Sequence, residues 1–287
     1  MAYTTNQNLF SQLPIENLDG KVDTTDFSVQ LHHKFNSDWS LRLKYRDRER
    51  DNQSAQVIFQ PVITDVYITS SLANLPYDFS KKTNDALIEY RPFNNQLMSL
   101  NYQSNSKTRN FQSIHKTDED GFKAKYRATL LEELTLMVTA EQFTRDSSAP
   151  ELIDFLGVTE NPLMQRFNVA KRIQDKVNFQ IFYNPIESLS TTLSLSFSEQ
   201  DYKETEIGLT NNQQDNFNLD ISYLVNDTTN FSVFYQQEKI ETAMNGSRYF
   251  SNPDWAVNDD DRIKSYGFNV SIKKLMNDDL NLHFDFA

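Results

Sequence analysis

The chain has 287 residues, with 28 Lys and Arg against 40 Asp and Glu, a net charge of −12 and a mean hydropathy of −0.64. That balance speaks against a nucleic-acid partner, which needs a basic face, and no window approaches the ~20 consecutive apolar residues of a membrane helix. The absence of cysteine excludes disulfides, thiolate metal sites and covalently attached haem within this stretch.

Residues 1–25 read as an irregular N-terminal segment, and the start Met-Ala-Tyr-Thr-Thr-Asn lacks the charged and apolar regions of a signal peptide. From 26 to 286, apolar and polar residues alternate in twelve short runs that pair into six hairpins. A period of two gives each strand one greasy face and one wet face. The first hairpin sets Phe27, Val29, Leu31 and Phe35 against Trp39, Leu41, Leu43 and Tyr45, turning at Asn36-Ser37-Asp38. The second sets Ala86, Ile88 and Tyr90 against Met98, Leu100 and Tyr102, turning between Pro92 and Asn95. In the third, Phe122, Ala124, Tyr126 and Ala128 face Leu134, Leu136, Val138 and Ala140. The fourth carries Val177, Phe179, Ile181 and Tyr183, a turn at Asn184-Pro185, then Leu189, Leu193, Leu195 and Phe197. The fifth joins Phe217, Leu219, Ile221 and Tyr223 to Phe231, Val233 and Tyr235 through Asn226-Asp227. The sixth joins Tyr266, Phe268, Val270 and Ile272 to Leu280, Leu282, Phe284 and Phe286 through Asn277-Asp278-Asp279.

Between the hairpins lie polar segments at 47–83, 104–120, 143–173, 200–215 and 239–264, read here as long loops. Short periplasmic turns at one end and long external loops at the other are the outer-membrane arrangement. The expected fold is all-β: an antiparallel up-and-down transmembrane β-barrel, with about 12 strands in this chain, in the bacterial outer membrane. Low hydropathy fits, because only every second strand residue must be apolar. Tyr45, Tyr90, Tyr102, Tyr126, Tyr183, Phe197, Tyr223 and Tyr235 close strand ends, as interfacial aromatic girdles do. A soluble sandwich seldom alternates its loop lengths so strictly. Two rival readings keep the strand periodicity: a general diffusion porin and a surface-exposed β-sheet adhesin.

The wet faces point to a polar interior. Arg42, Lys44 and Arg46 on one strand, and Lys123, Lys125 and Arg127 on another, form basic ladders suited to a partner held in the lumen. Pore solvation and cross-strand pairing with Glu89, Glu141 or Asp220 is the plainer role for them. Leu87, Leu97, Met137, Phe182 and Phe234 also point inward, against a neighbouring side chain or against a lumen occupant. Of the histidines, His32 and His283 fall on lumen faces, His33 on the lipid face and His115 in a loop, with no pair at metal-site spacing. The acidic runs Asp118-Glu119-Asp120 and Asp259-Asp260-Asp261 read as solvated loops without the interleaved spacing of a calcium loop. No nucleophile, base and oxyanion constellation and no phosphate-binding glycine loop is present, so no enzyme is expected and no catalytic, cofactor or metal residue is assigned.

Several segments carry a family resemblance. Glu160-Asn161-Pro162-Leu163 through Phe167-Asn168-Val169-Ala170 resembles the ENPL…(Y/F)N(L/V)A stretch of the decahaem-associated outer-membrane β-barrels of MtrB/PioB type. Glu206-Ile207-Gly208-Leu209-Thr210, Pro253-Asp254-Trp255 with Asp260-Asp261-Arg262, and Asn74-Leu75-Pro76-Tyr77-Asp78-Phe79 are further matches in the family's order. The resemblance implies a porin-like sheath of well over twenty strands. It holds a periplasmic decahaem c-type cytochrome, which passes electrons to an outer-surface multihaem cytochrome or to extracellular metal oxides. On that reading the protein has no cofactor of its own, and the haem is the partner's.

The chain departs from that pattern in showing about twelve strands, in lacking a signal peptide and the N-terminal Cys pair of some relatives, and in ending at Asp285-Phe286-Ala287. The expectation is a fragment with strands missing at both ends. With strands about 4.8 Å apart and tilted about 40°, twelve close to a backbone diameter of roughly 24 Å, while twenty-six give roughly 50 Å. Only the larger ring has room for a polypeptide wrapped around haems.

Overall fold

The computed structural model describes residues 15–59, 72–110, 113–150, 154–155, 158–159, 161–248, 251–275 and 280–287. The turn expected at Asn277-Asp278-Asp279 lies outside them. Twelve strands form one antiparallel sheet in which every strand pairs with its neighbours in chain order. They are β1 (Val22–Lys34), β2 (Trp39–Asn52), β3 (Phe79–Tyr90), β4 (Gln96–Arg109), β5 (Lys116–Leu131) and β6 (Leu134–Ser147). The second half comprises β7 (Arg172–Ile186), β8 (Leu189–Asp201), β9 (Gly208–Asn226), β10 (Thr229–Gly246), β11 (Trp255–Leu275) and β12 (Leu280–Phe286). β1 begins at Val22, so the irregular N-terminal stretch is shorter than 1–25. The sheet does not close on itself: β1 and β12 are its two edges.

The register puts the expected greasy residues on one continuous face. Leu41 lies opposite Ile88, Ile88 opposite Leu100, and Leu100 opposite Ala124. Further along, Leu136 faces Ile181, Ile181 faces Leu193, and Leu193 faces Leu219. Large apolar side chains on this face stay open to their surroundings, Phe27 at 55%, Phe122 at 54% and Phe284 at 58%. Buried apolar residues are few among the described ones, and most lie away from the strands. A sheet this exposed is stabilised when lipid covers its greasy face.

Aromatic pairs mark the edges of that band. Trp39 stacks on Tyr90 with ring centroids 4.2 Å apart near the turn end. Toward the loop end Phe27 meets Tyr45 at 6.4 Å, Tyr102 meets Phe122 at 5.1 Å, and Phe217 meets Tyr235 at 5.8 Å. The six steps from Trp39 to Tyr45 cover about 20 Å of strand at ~3.3 Å per residue. The hydrogen-bonded rows do not follow the band. Met98, near the turn end of β4, starts a row through Tyr126, Val138, Phe179 and Leu195 to Phe217, near the loop-side edge of the band on β9. That drift is the stagger of tilted barrel strands.

Strand lengths correct the reading of long loops. β2 runs to Asn52, β4 to Arg109, β9 starts at Gly208 and β11 at Trp255, so most of the polar segments are strand. Only 53–78 and 148–171 remain long connections, and each carries a two-residue ladder: Ile58–Phe59 with Leu72–Ala73, and Asp154–Phe155 with Val158–Thr159. Beyond the aromatic belt both sheet faces meet water, so the apolar alternation vanishes while the backbone ladder continues. The turn of the fourth hairpin also moves: Asn184-Pro185 lies within β7 at a register shift between Tyr183 and Ile186. Proline has no N–H to give the ladder, and a bulge accommodates that loss. The next turn is as expected, with Asn226 Oδ1 accepting from the Thr228 amide at 3.0 Å.

Candidate functional site

All six basic candidates stand on the inner face. Arg42, Lys44 and Arg46 occupy alternate positions of β2, and Lys123, Lys125 and Arg127 alternate positions of β5. They form two ladders rather than one cluster. Arg42 and Lys123 share a row but are separated by Leu87 and Asn101, a distance of ~14 Å across the sheet. Pairing accounts for two of the six: Arg46 Nε donates to Asp26 Oδ1 at 2.9 Å, and Lys123 Nζ lies 3.2 Å from Glu141 Oε2. Arg42, Lys44, Lys125 and Arg127 make no ion pair among the described residues. Glu89 instead accepts from the Ser40 hydroxyl at 3.2 Å, and Asp220 lies opposite Thr192 and Phe234.

The inward apolar residues serve local packing where a contact is visible. Phe234 lies over Gly267: a β-carbon there would sit 2.6 Å from the ring and against the Phe286 carbonyl. Glycine is required by that close approach. Leu97 and Met137 flank Arg127 in register, apolar neighbours for its aliphatic stem.

The acidic runs are not loops. Asp118-Glu119-Asp120 belongs to β5 and Asp259-Asp260-Asp261 to β11. Strand alternation sends the middle carboxylate of each run, Glu119 and Asp260, to the face opposite its two neighbours, so neither run brings all three to one cation. Glu119 points inward to Arg172 Nη2 at 2.8 Å, while Asp260 pairs with Arg262 at 3.1 Å. Among the described residues no group of three His, Cys, Asp or Glu side chains is arranged to hold a metal. His283 Nε2 lies 2.8 Å from Asp285 Oδ2, and His33 packs edge-on against Phe35 at 4.7 Å.

The alternation Arg46-Asp47-Arg48-Glu49-Arg50-Asp51 extends the β2 ladder past the aromatic belt, with cations inward and anions outward. Lys81 and Lys107 continue it onto β3 and β4. Reading 47–83 and 104–120 as loops hid these four cations; charge sign repeating with period two was the available signal.

A second feature combines the signature segments. Residues 161–170 fold over the inner face at the loop end, where Arg145 of β6 clamps them. Its Nε donates to Ala170 O at 2.7 Å, Nη1 to Asn168 O at 3.2 Å and Nη2 to Phe167 O at 2.5 Å. Ser147 Oγ donates to Val169 O. On the other side Gln165 N donates to Ile207 O at 2.9 Å, and Asn161 Nδ2 donates to Ser251 O at 3.1 Å. Val169, Ala170, Tyr202 and Ile207 are buried here. Gly208 turns the chain into β9 at φ +123°, a conformation that L side chains rarely adopt, and a β-carbon there would lie 2.5 Å from Gln165 O. Between this segment and the wall lies an open groove of about 770 Å³, lined in part by Met164, Phe167, Tyr202, Leu209 and Met244. Nearby Lys171 is pushed up from its ordinary pKa by its contact with Glu204, 2.7 Å away.

The segment 74–79 plays a similar joining role. Asp78 Oδ1 accepts from Asn52 N at 2.6 Å, and Asn110 Nδ2 donates to Asp78 Oδ2 at 2.8 Å and to Pro76 O at 2.7 Å. It thereby ties the loop ends of β2, β3 and β4 together.

A staggered antiparallel sheet with a greasy outer band, aromatic edges and a charged inner wall defines an outer-membrane β-barrel protein. Solved barrels agree in fold. The copper transporter OprC superposes with a TM-score of 0.58 at 7% identity, covering 88% of this chain and 42% of OprC. The siderophore receptor PiuA from Acinetobacter baumannii gives 0.53 at 9% identity, covering 89% and 47%. By sequence, residues 2–287 match the outer membrane β-barrel porin family MtrB/PioB, and the chain belongs to that family. It is 26% identical over 276 residues to Outer membrane protein MtrB of Shewanella baltica (strain OS185), covering 96% of this chain and 40% of that protein. The chain thus spans well under half the length of this curated relative. Its relatives are barrels and porins of the bacterial outer membrane, not enzymes.

Proposed function

We propose that this chain is part of the wall of an outer-membrane sheath that holds a periplasmic decahaem c-type cytochrome for electron transfer across the membrane. The observation that carries the reading is the inner wall. In a chain of net charge −12, β2 and β5 turn Arg42, Lys44, Arg46, Lys123, Lys125 and Arg127 inward, and four of these have no anionic partner among the described residues. Such a wall suits an acidic protein surface or haem propionates, by charge complementarity. Membership in the MtrB/PioB family supports the same occupant. The wall contributes insulation, position and charge; the haems belong to the partner, and an outer-surface multihaem cytochrome or an external metal oxide takes the electrons. The short hairpin turns face the periplasm and the signature segments the outside.

Purification of the full-length protein from cells expressing its cytochrome is the test. Haem that co-purifies stoichiometrically supports the sheath. Solute flux through reconstituted protein with no haem retained favours a diffusion porin and contradicts it.

A further inference from the structure

The inner wall carries a charge arrangement that its own residues do not balance. Arg48 of β2 stands directly opposite Lys81 of β3, and Lys81 directly opposite Lys107 of β4. Like charges in facing positions destabilise a sheet. Two of them meet one ring: the Arg48 guanidinium carbon lies 5.8 Å and Lys107 Nζ 5.1 Å from the centroid of Phe79. Attraction to the ring face holds the two cations there but does not neutralise them.

The inner-face carboxylates nearby are already engaged. Asp26, opposite Arg48, attracts it but is hydrogen-bonded by Arg46, and Glu119 is bound by Arg172 at 2.8 Å. Asp47, Glu49 and Asp51 alternate with the cations of β2 and therefore face outward. Lys82, one residue from Lys81, also faces outward and lies 3.9 Å from Asp47. Arg48, Lys81 and Lys107 make no ion pair among the described residues.

We infer that Arg48, Lys81 and Lys107, in one row across β2, β3 and β4 with the first and last against Phe79, form a binding site at the loop end of the inner wall for a multivalent oxyanion. Three cations on adjacent strands span about 10 Å at ~4.8 Å per strand, too far for one phosphate group to reach them all. A linear anion with two or three phosphate or carboxylate groups matches that span. The site lies past the aromatic belt, in water, so its affinity falls with added salt. It continues the β2 ladder past Arg46 but uses none of the six cations of the proposed sheath contact, and it does not depend on that reading.

The test is calorimetric titration of the full-length protein, in uncharged detergent micelles at low salt, with sodium tripolyphosphate. Wild type is expected to bind one equivalent saturably. Lys81→Gln weakens binding several-fold, Arg48→Gln with Lys107→Gln weakens it at least tenfold, and Lys82→Gln leaves it unchanged. Heat-modifiable gel mobility shows that each variant is folded. Absence of saturable binding by wild type overturns the site. So does an equal loss in Lys82→Gln, which would mean that net charge alone is being read, or orthophosphate binding as tightly as tripolyphosphate.

Discussion

Replacing Arg145 by alanine should release the segment 161–170 from the wall while leaving the barrel intact. The guanidinium makes three bonds, at 2.7, 3.2 and 2.5 Å, to the carbonyls of Ala170, Asn168 and Phe167. Hydrogen bonds to a charged donor contribute about 1.5–3 kcal/mol each when well buried. Arg145 is half-buried, so about 1 kcal/mol per bond, or ~3 kcal/mol in all, is the reasonable figure. That corresponds to a local opening roughly 100-fold more populated. Hydrogen exchange of the full-length protein reads it directly, at the Val169 and Ala170 amides that donate to Arg166 O at 3.0 and 2.9 Å. Both should lose protection in Arg145→Ala, while amides in the middle of β6 and β7 keep theirs. Arg145→Lys should behave nearly as badly, since an ammonium cannot reproduce the fork. Unchanged exchange at 169 and 170 would show that the clamp is ornamental and the segment is held by its contacts to Ile207 and Ser251.

Other outcomes follow from the same geometry. Phe179→Arg, on the greasy face at the middle of β7, should destabilise the folded barrel by about 2–4 kcal/mol in urea titrations in lipid, whereas Asn178→Arg, one residue away on the inner face, should cost under 1 kcal/mol. Gly267→Ala sets a β-carbon against Phe234 and the Phe286 carbonyl; a loss of about 1–3 kcal/mol is expected, with the β11–β12 pairing opening first by hydrogen exchange. Reversing Lys123, Lys125 and Arg127 together to glutamate in the full-length protein should reduce cytochrome co-purification, most strongly at low ionic strength.

The membrane-crossing part of each strand was legible because only one of its faces meets lipid. Phe179, Ile181 and Tyr183 alternate with Asn178, Gln180 and Phe182, and the register places them as the alternation requires. Outside the belt that signal fails for a physical reason: water bathes both faces, so 208–215 of β9 and 255–264 of β11 read as loop while their backbones stay paired. Turn position is similarly blind to tertiary context. Asn184-Pro185 has turn chemistry, yet the strand bulges past it because the Asn184 amide finds Glu133 O at 2.8 Å. The basic ladders were visible as spacing, but their pairing was not. Lys123 finds Glu141 on the next strand and Arg46 finds Asp26 on the previous one, while Arg42 finds neither Glu89 nor Asp85. The docking of 161–170 was legible only as recurring words, since its bonds join residues as far apart as Asn161 and Ser251.

On the proposed function, the inner wall of this sheet faces a protein occupant while the outer face meets lipid. Cysteine is absent from this chain, so single cysteines placed at 122 to 127 in the full-length protein, labelled by a membrane-impermeant maleimide with and without the co-expressed cytochrome, test it directly. Positions 123, 125 and 127 should label when the cytochrome is absent and be protected when it is present, with 122, 124 and 126 unreactive in both. Equal labelling of the odd positions in both preparations would show that no cytochrome occupies this wall.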